Sequence, residues 1–122
     1  MKQIARIEGE PFASIGLGRI TLNSEACKLL KNIYDYEYVE VKSGKEGGRL
    51  SKIGLKFISE KTLNCLRVSE RKYKGKIIGG LNINSKALVS EFFGKTKDNN
   101  TTRYAVEKVD EDMLAINIVK EL

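Results

Sequence analysis

The sequence predicts an α+β fold that is mostly β, in which two tandem strand-helix-strand-strand units close one pseudo-twofold β-barrel. Residues 18–26 (GRITLNSEA) return 61 positions later as residues 79–87 (GGLNINSKA), with four identities in nine positions. Residues 38–41 (YVEV) are echoed by residues 104–107 (YAVE), so each copy continues from its helix into another strand. One unit of about 45 residues buries its strand faces poorly, whereas two units can complete a common core. The alternative is a chance likeness between two strand-turn-helix segments.

The chain of 122 residues is predicted to be a single domain, residues 1–122. Within it, residues 12–58 form the first repeat unit, residues 59–76 a basic connecting segment, and residues 77–122 the second repeat unit. No apolar stretch approaches the roughly 18 residues that a membrane span requires. Because no stretch resembles an export signal, a cytoplasmic protein that does not associate with membranes is expected.

The elements of the first unit follow from its residue patterns. Residues 3–8 and 12–16 are predicted to be an N-terminal strand broken at Pro11, because proline cannot donate to a strand ladder. Residues 18–22 form the next strand, and Asn23 or Ser24 caps the helix that follows it. The buried stripe of this helix is Ala26, Leu29, Leu30 and Ile33.

A strand with three tyrosines and then a hairpin are predicted after this helix. Tyr34, Tyr36 and Tyr38 alternate with acidic residues at period two, and they either pack across strands or form a stacking platform for unpaired bases. Residues 43–48 contain three glycines and are predicted to be a loop. Residues 49–58 form the second hairpin strand, with one apolar face and one basic face. The apolar face consists of Ile53, Leu55 and Phe57.

The second unit repeats this order after a further strand and a polar joint. The joint is predicted at residues 70–76, after a strand at 63–69. The remaining elements are a strand at 77–83, a helix at 85–93 that ends at Gly94, a polar loop at 95–102, and a hairpin of residues 103–108 and 113–119. The last strand directs Leu114, Ile116 and Ile118 to one side.

Positive charge is concentrated in the middle of the chain. Residues 42–76 carry eleven basic and three acidic side chains, a net +8, whereas the rest of the chain carries −2. Such a concentration attracts polyanions, which predicts nucleic acid as the partner. The alternative is a solvated lysine face that protects a sheet edge from aggregation. The predicted phosphate contacts are Arg49, Lys52, Lys56, Arg67, Arg71, Lys72, Lys74 and Lys76, and Tyr73 lies among the last four as an aromatic contact.

The sequence gives little support for an enzyme. It contains no histidine, the commonest general base near neutral pH and the commonest metal ligand. Gly94-Lys95-Thr96 lacks the glycine and the preceding strand of a phosphate-binding loop. Three adjacent carboxylates at residues 110–112 point in different directions along a turn, so no metal is expected. No catalytic residue and no cofactor are predicted, and the two cysteines are expected to be free thiols.

The order strand 18–22, helix 26–30, strand 38–41 and closing strand resembles the unit of the AbrB-type swapped-hairpin DNA-binding family. In that family two such units interleave into one β-barrel, usually as a dimer, and arginines of strands and loops reach DNA. The resemblance implies that Arg19 is a DNA contact and that a homodimer is possible. The chain differs from the family pattern at Asn23 and Asn84, which stand in place of proline, and at Gly80, which stands in place of arginine.

The function predicted from the sequence is nucleic-acid binding, most simply by a small DNA-binding regulator or an accessory factor of a phage or mobile element. The alternative is a protein-interaction or assembly module that presents its basic face to an acidic protein partner. No base-reading residue can be named from the sequence.

Overall fold

A computed structural model of the chain describes residues 9–93 and 101–122. In these ranges eight strands form a closed antiparallel barrel in the order β1-β2-β6-β5-β3-β4-β8-β7, and β7 pairs with β1. The predicted β-rich fold and the barrel are confirmed. The elements in chain order are β1 (Phe12–Gly16), β2 (Arg19–Leu22), α1 (Ser24–Cys27), β3 (Tyr38–Glu46), β4 (Arg49–Ile58), β5 (Cys65–Tyr73), β6 (Lys76–Asn84), α2 (Lys86–Phe93), β7 (Thr102–Asp110) and β8 (Met113–Glu121).

Four strand pairings join the first half of the chain to the second: β2–β6, β4–β8, β1–β7 and β3–β5. β2 pairs with β6, and Thr21 lies opposite Asn82, which is 61 positions further along the chain. The Thr21 hydroxyl donates a hydrogen bond to Asn82 Oδ1 at 2.7 Å. β4 pairs with β8, and Gly54 lies opposite Ala115 at the same separation of 61 positions (54 to 115). The barrel therefore closes only when both halves of the chain are present.

The inward-facing side chains fill the barrel, as expected for eight strands. Ile53, Leu55 and Phe57 of β4 are at most 1% exposed, which confirms the predicted apolar face. The core continues into the segments between strands. The remaining buried apolar residues of the core cluster are Ala13, Ile15, Ile20, Leu22, Ala26, Cys27, Leu30, Ile33, Val39, Leu81, Ile83, Val89, Val106, Leu114 and Ile116.

α1 is shorter than predicted, although its cap is where the sequence indicated. The Asn23 side chain accepts a hydrogen bond from Ala26 N at 2.9 Å, and a second from Phe12 N at 3.0 Å. After Cys27 the backbone forms tighter i→i+3 hydrogen bonds, including Leu30 N to Cys27 O at 3.4 Å. The predicted stripe is still buried, with Leu29 partly exposed, because these turns continue over the barrel end.

Three predictions about the middle of the chain were wrong. Tyr34 lies in a 3₁₀ turn (Ile33–Asp35), so the three tyrosines do not share one strand face. Residues 43–46 are part of β3, and only residues 47–48 form the turn. Gly44 does not interrupt the strand because it lies at a register shift, between Gly44 and Lys45, where glycine is tolerated. Residues 70–73 belong to β5, which pairs with β3 and β6 as a barrel strand. The predicted polar joint at 70–76 is therefore mostly strand.

The second-half elements agree with the prediction within a few residues. The strand at 77–83 is β6, the helix at 85–93 is α2, and the final hairpin is β7 and β8. Leu114 and Ile116 are buried, and Ile118 is partly buried. The predicted strand at 3–8, the helix end at Gly94 and residues 95–100 of the loop lie outside the described residues. Both cysteines are free, as predicted. Among the described residues, no helix is long and apolar enough to cross a membrane.

Replacing Asn23 should destabilise the fold, whereas replacing its repeat counterpart Asn84 should not. Asn23 caps α1 and also donates to Glu10 O at 2.7 Å, whereas α2 is capped by the Ser85 hydroxyl, which accepts from Leu88 N at 3.2 Å. We expect Asn23→Ala to cost about 2 kcal/mol of unfolding free energy, and Asn84→Ala less than about 0.5 kcal/mol. Urea unfolding measures both, and equal losses would contradict the assignment of the caps.

Candidate nucleic-acid interface

Residues 71–80 form a two-stranded arm at one end of the barrel. β5 pairs with β3 only through residues 65–67, and β6 pairs with β2 only through residues 81–84. From residue 71 to residue 80 the two strands pair only with each other, as in Lys72 opposite Ile77 and Tyr73 opposite Lys76. At the tip, Lys74 (φ 51°) and Gly75 (φ 81°) both have positive φ, as a tight two-residue hairpin turn requires.

The arm carries four cations and no acidic residue. Arg71, Lys72, Lys74 and Lys76 all lie within it, and only Arg71 is partly buried. None of the four forms an ion pair with the described part of the chain. Their charges are therefore not neutralised locally, and they can interact with an external anion.

Apolar and aromatic side chains lie exposed among these cations. Tyr73 is 62% exposed, and the Lys74 ammonium lies 5.4 Å from its ring centroid. Ile77 is 59% exposed and Ile78 is 49% exposed. An isolated two-stranded ribbon has no core of its own in which to bury such residues. The arm is thus a cationic surface with exposed apolar side chains, a combination suited to binding a partner.

The root of the arm is fixed by a close contact at Gly80. The Gly80 N–H donates to the Tyr34 hydroxyl at 3.0 Å, and Gly80 has a φ of 91°. A Cβ on Gly80 would lie 2.5 Å from Leu22 O and 2.6 Å from Arg71 Cδ. Only glycine fits at this position. Because it has no side chain, the Arg71 side chain can lie directly against it. This contact coincides with the register shift between Glu70 and Lys72.

Two titratable groups lie beneath this root. Burial raises the pKa of the Cys27 thiol to about 11, although a hydrogen bond with Tyr34 and the charge of Arg71 act in the opposite direction. Burial also raises the pKa of the Tyr34 hydroxyl. Both groups are therefore neutral near pH 7, and neither offsets the positive charge of the arm.

Three more of the predicted residues lie on the outer wall formed by β5, β3 and β4. Lys52 Nζ is 2.6 Å from Glu107 Oε1, and this hydrogen bond raises the pKa of Lys52. Lys56 is half-buried, opposite Glu40 in the ladder. The Arg67 guanidinium lies 6.0 Å from the Tyr38 ring centroid. Lys52 and Lys56 have acidic neighbours, so they are less available than the cations of the arm.

Arg49 and Arg19 lie away from the arm. Arg49 follows the β3–β4 turn, which projects beyond the Cys65 end of β5, whereas the arm projects beyond the other end. At about 3.3 Å per residue, the two hairpin tips are on the order of 50 Å apart along the strand direction. Arg19 lies opposite Asn84, beside the start of α2. Five of the ten predicted residues share the arm, namely Arg71, Lys72, Tyr73, Lys74 and Lys76, and they are neighbours in the sequence.

Sequence reasoning missed Ile77, Ile78, Tyr34 and Gly80 as parts of this region. The pair Gly79-Gly80 within an otherwise apolar strand was the available signal, because adjacent glycines in a strand often mark a bulge or a close approach of two backbones. The described residues contain no cluster of three acidic, cysteine or histidine side chains that could hold a metal ion. No protein-family model, curated protein or solved structure matches the chain.

Gly80→Ala should disturb the root of the arm much more than Gly75→Ala. Both glycines have positive φ, but an added Cβ on Gly75 meets nothing within 4 Å. We expect a cost of about 1–2 kcal/mol for Gly75→Ala from backbone strain alone. Gly80→Ala should cost about 2–5 kcal/mol because backbone atoms of β2 must also move. Chemical unfolding tests the pair, and equal costs would contradict the close approach at Gly80.

Cys65 should react with an aromatic disulfide reagent at pH 8, and Cys27 should react only on unfolding. Cys27 is 1% exposed and its pKa is raised to about 11, which disfavours the reactive thiolate, whereas Cys65 is partly exposed. We expect one fast thiol in the native protein and two in denaturant. Cys65→Ser should remove the fast reaction, and a fast reaction retained in that variant would contradict the burial of Cys27.

Proposed function

We propose that this protein binds nucleic acid, most simply DNA, and that the arm of residues 71–80 is its principal contact. The observation that carries the proposal is the set of four cations on a projecting ribbon. The ribbon contains no acidic residue, and none of its cations forms an ion pair with another described residue. These side chains can reach phosphates without first breaking an ion pair to another described residue. Each contact releases condensed counterions, so binding should be strong at low salt and weak at high salt.

Lys52, Lys56 and Arg67 are proposed as secondary contacts on the adjacent wall. The carboxylates of Glu107 and Glu40 lie beside Lys52 and Lys56, so each of these two should contribute less than a cation of the arm. Arg49 and Arg19 are proposed as contacts only for a nucleic acid that is long enough to extend along the barrel surface beyond the arm. We also propose a cytoplasmic location, no catalytic role and no cofactor.

We further propose that the barrel is a pseudo-twofold duplication of the AbrB type, with β1 to β4 equivalent to β5 to β8. Strand order supports this proposal, because exchanging the two sets leaves every pairing of the ring unchanged. Register supports it as well: Thr21 pairs with Asn82, and Gly54 with Ala115, at the separation of the sequence repeat. A twofold axis would pass through both pairs. On the basis of the same resemblance, we also propose that Arg19 contacts DNA and that the protein forms a homodimer.

The two proposed halves differ most where the arm is found. The β1–β2 hairpin, which would correspond to β5–β6, turns directly at Leu17-Gly18 and contributes only Arg19 as a cation. The β5–β6 hairpin extends beyond the barrel wall and carries four cations. A duplicated fold of this kind would thus have one specialised arm, and the binding surface would not follow the symmetry of the core.

An acidic protein partner is the second candidate function. The exposure of Ile77 and Ile78 favours it, because protein interfaces commonly bury apolar side chains within a polar rim. Competition separates the two candidates. An unrelated duplex DNA should displace a nucleic acid that is bound to the protein. An acidic protein that is also held by apolar contacts should resist this displacement at high salt.

Removing the cations of the arm should weaken nucleic-acid binding more than removing the same charge elsewhere. The arm variant changes Arg71, Lys72, Lys74 and Lys76 to Ala, and the control changes Lys45, Lys61, Lys86 and Lys108 to Ala. Each removes four positive charges at exposed or partly exposed positions. We expect at least about tenfold weaker binding near 50 mM salt for the arm variant, and a salt slope smaller by about 3.

Fluorescence anisotropy with single- and double-stranded oligonucleotides at several salt concentrations measures both quantities. The control should change affinity less than about threefold, because it removes long-range attraction without removing phosphate contacts. Equal losses in the two variants would reject the arm as the principal contact. Absence of any binding by the unaltered protein near 50 mM salt would reject the nucleic-acid function itself.

A further inference from the structure

The two faces of the arm carry the same kind of side-chain pair. Lys72 lies directly opposite Ile77 on one face, and Tyr73 lies directly opposite Lys76 on the other, since successive residues of a strand point to opposite sides. Each face therefore presents one cation beside one apolar or aromatic group. A ribbon that docks on a flat surface needs only one such face. A ribbon that enters a groove contacts both walls and uses both faces.

We infer that the arm enters the major groove of B-form duplex DNA. This inference rests on the proposed function and adds the form of nucleic acid and the groove. The major groove is about 12 Å wide and admits a two-stranded ribbon. The residues on each strand between the Gly80 contact and the turn extend roughly 10 Å, comparable to the groove depth of about 8.5 Å.

The side chains of the arm match the chemistry of that groove. The flanking phosphates of both strands line its edges, within reach of cations that emerge from the two faces of the ribbon. Its floor presents thymine methyl groups, which make apolar contacts with protein side chains. Ile77 and Tyr73 supply apolar surface on opposite faces, and each lies beside a lysine. Each pair thus offers one cation for the phosphates and one apolar or aromatic group for the thymine methyl groups.

Other nucleic acids fit the arm less well. The major groove of A-form RNA is deep and narrow, so side chains cannot read it. Single-strand binders stack successive bases on several aromatic rings, whereas residues 71–80 contain only Tyr73. The arm should therefore discriminate in favour of duplex DNA, and it should do so through Tyr73 and Ile77 rather than through its charge.

The first experiment compares the affinity of the full chain for a mixed-sequence 24-base-pair duplex DNA, the corresponding duplex RNA and one DNA strand alone, by fluorescence anisotropy. We expect duplex DNA to bind at least about tenfold tighter than the other two. Tyr73→Thr/Ile77→Thr keeps all four cations and strand propensity, and should bind duplex DNA about tenfold more weakly with an unchanged salt slope. Val109→Thr/Val119→Thr changes two exposed residues outside the arm and should bind as the unaltered protein does.

A second measurement uses the unaltered protein and does not depend on variants. Dimethyl sulfate methylates guanine N7 in the major groove and adenine N3 in the minor groove. On the saturated 24-base-pair duplex we expect protection of guanine N7 and little change at adenine N3. Replacing every thymine by uracil removes the C5-methyl groups and should weaken binding severalfold.

The outcomes separate this inference from the proposed function. Equal affinity for duplex RNA or single strands, protection of adenine N3 alone, or an unchanged affinity of Tyr73→Thr/Ile77→Thr would overturn major-groove entry while leaving nucleic-acid binding intact. A concentration-dependent dimer that this variant abolishes would overturn it too, since a second copy would then cover the arm. Failure of the unaltered protein to bind any of the three oligonucleotides near 50 mM salt would remove the proposed function as well.

Discussion

Closure of the barrel by the four pairings between its halves (β2–β6, β4–β8, β1–β7 and β3–β5) is the constraint on which the rest of the structure depends. Each of these pairings joins a strand of the first half to a strand of the second, so neither half can complete its ladder or cover its apolar face alone. Since edge strands expose unpaired backbone groups, closure also removes an aggregation hazard that eight separate edges would create. The barrel core and the pairing of the two halves therefore form together.

The arm is a consequence of the same arrangement. β5 and β6 extend beyond the residues that pair with β3 and β2. Their paired ends therefore continue past the barrel wall, where β3 and β2 no longer lie beside them. The Gly80 contact with Tyr34 and Leu22 fixes the arm where it leaves the core. A rigid base with an exposed tip limits the conformational entropy that binding removes, because only the side chains of the tip must become ordered.

Charge clustering in the sequence did not translate directly into clustering in space. Eleven basic residues between positions 42 and 76 suggest one continuous positive surface. The β3–β4 turn and the arm instead project from opposite ends of the barrel, which separates Arg49 from Lys74, and Lys52 is partly neutralised by Glu107 from the other half of the chain. Antiparallel pairing produces this separation, because neighbouring hairpins in a ring can direct their tips to opposite ends.

Local patterns in the sequence determined most elements of the fold. Alternation placed Ile53, Leu55 and Phe57 inside, and the Asn-Ser pairs marked both helix starts, because side-chain period and capping act within a few residues. The tertiary structure alone decided that residues 70–73 are strand, that Tyr34 supports Gly80, and which cations remain unpaired. The strand at 70–73 pairs within its own hairpin, but the Gly80–Tyr34 and Lys52–Glu107 contacts join residues 46 and 55 positions apart. No local pattern of residues specifies contacts of that range.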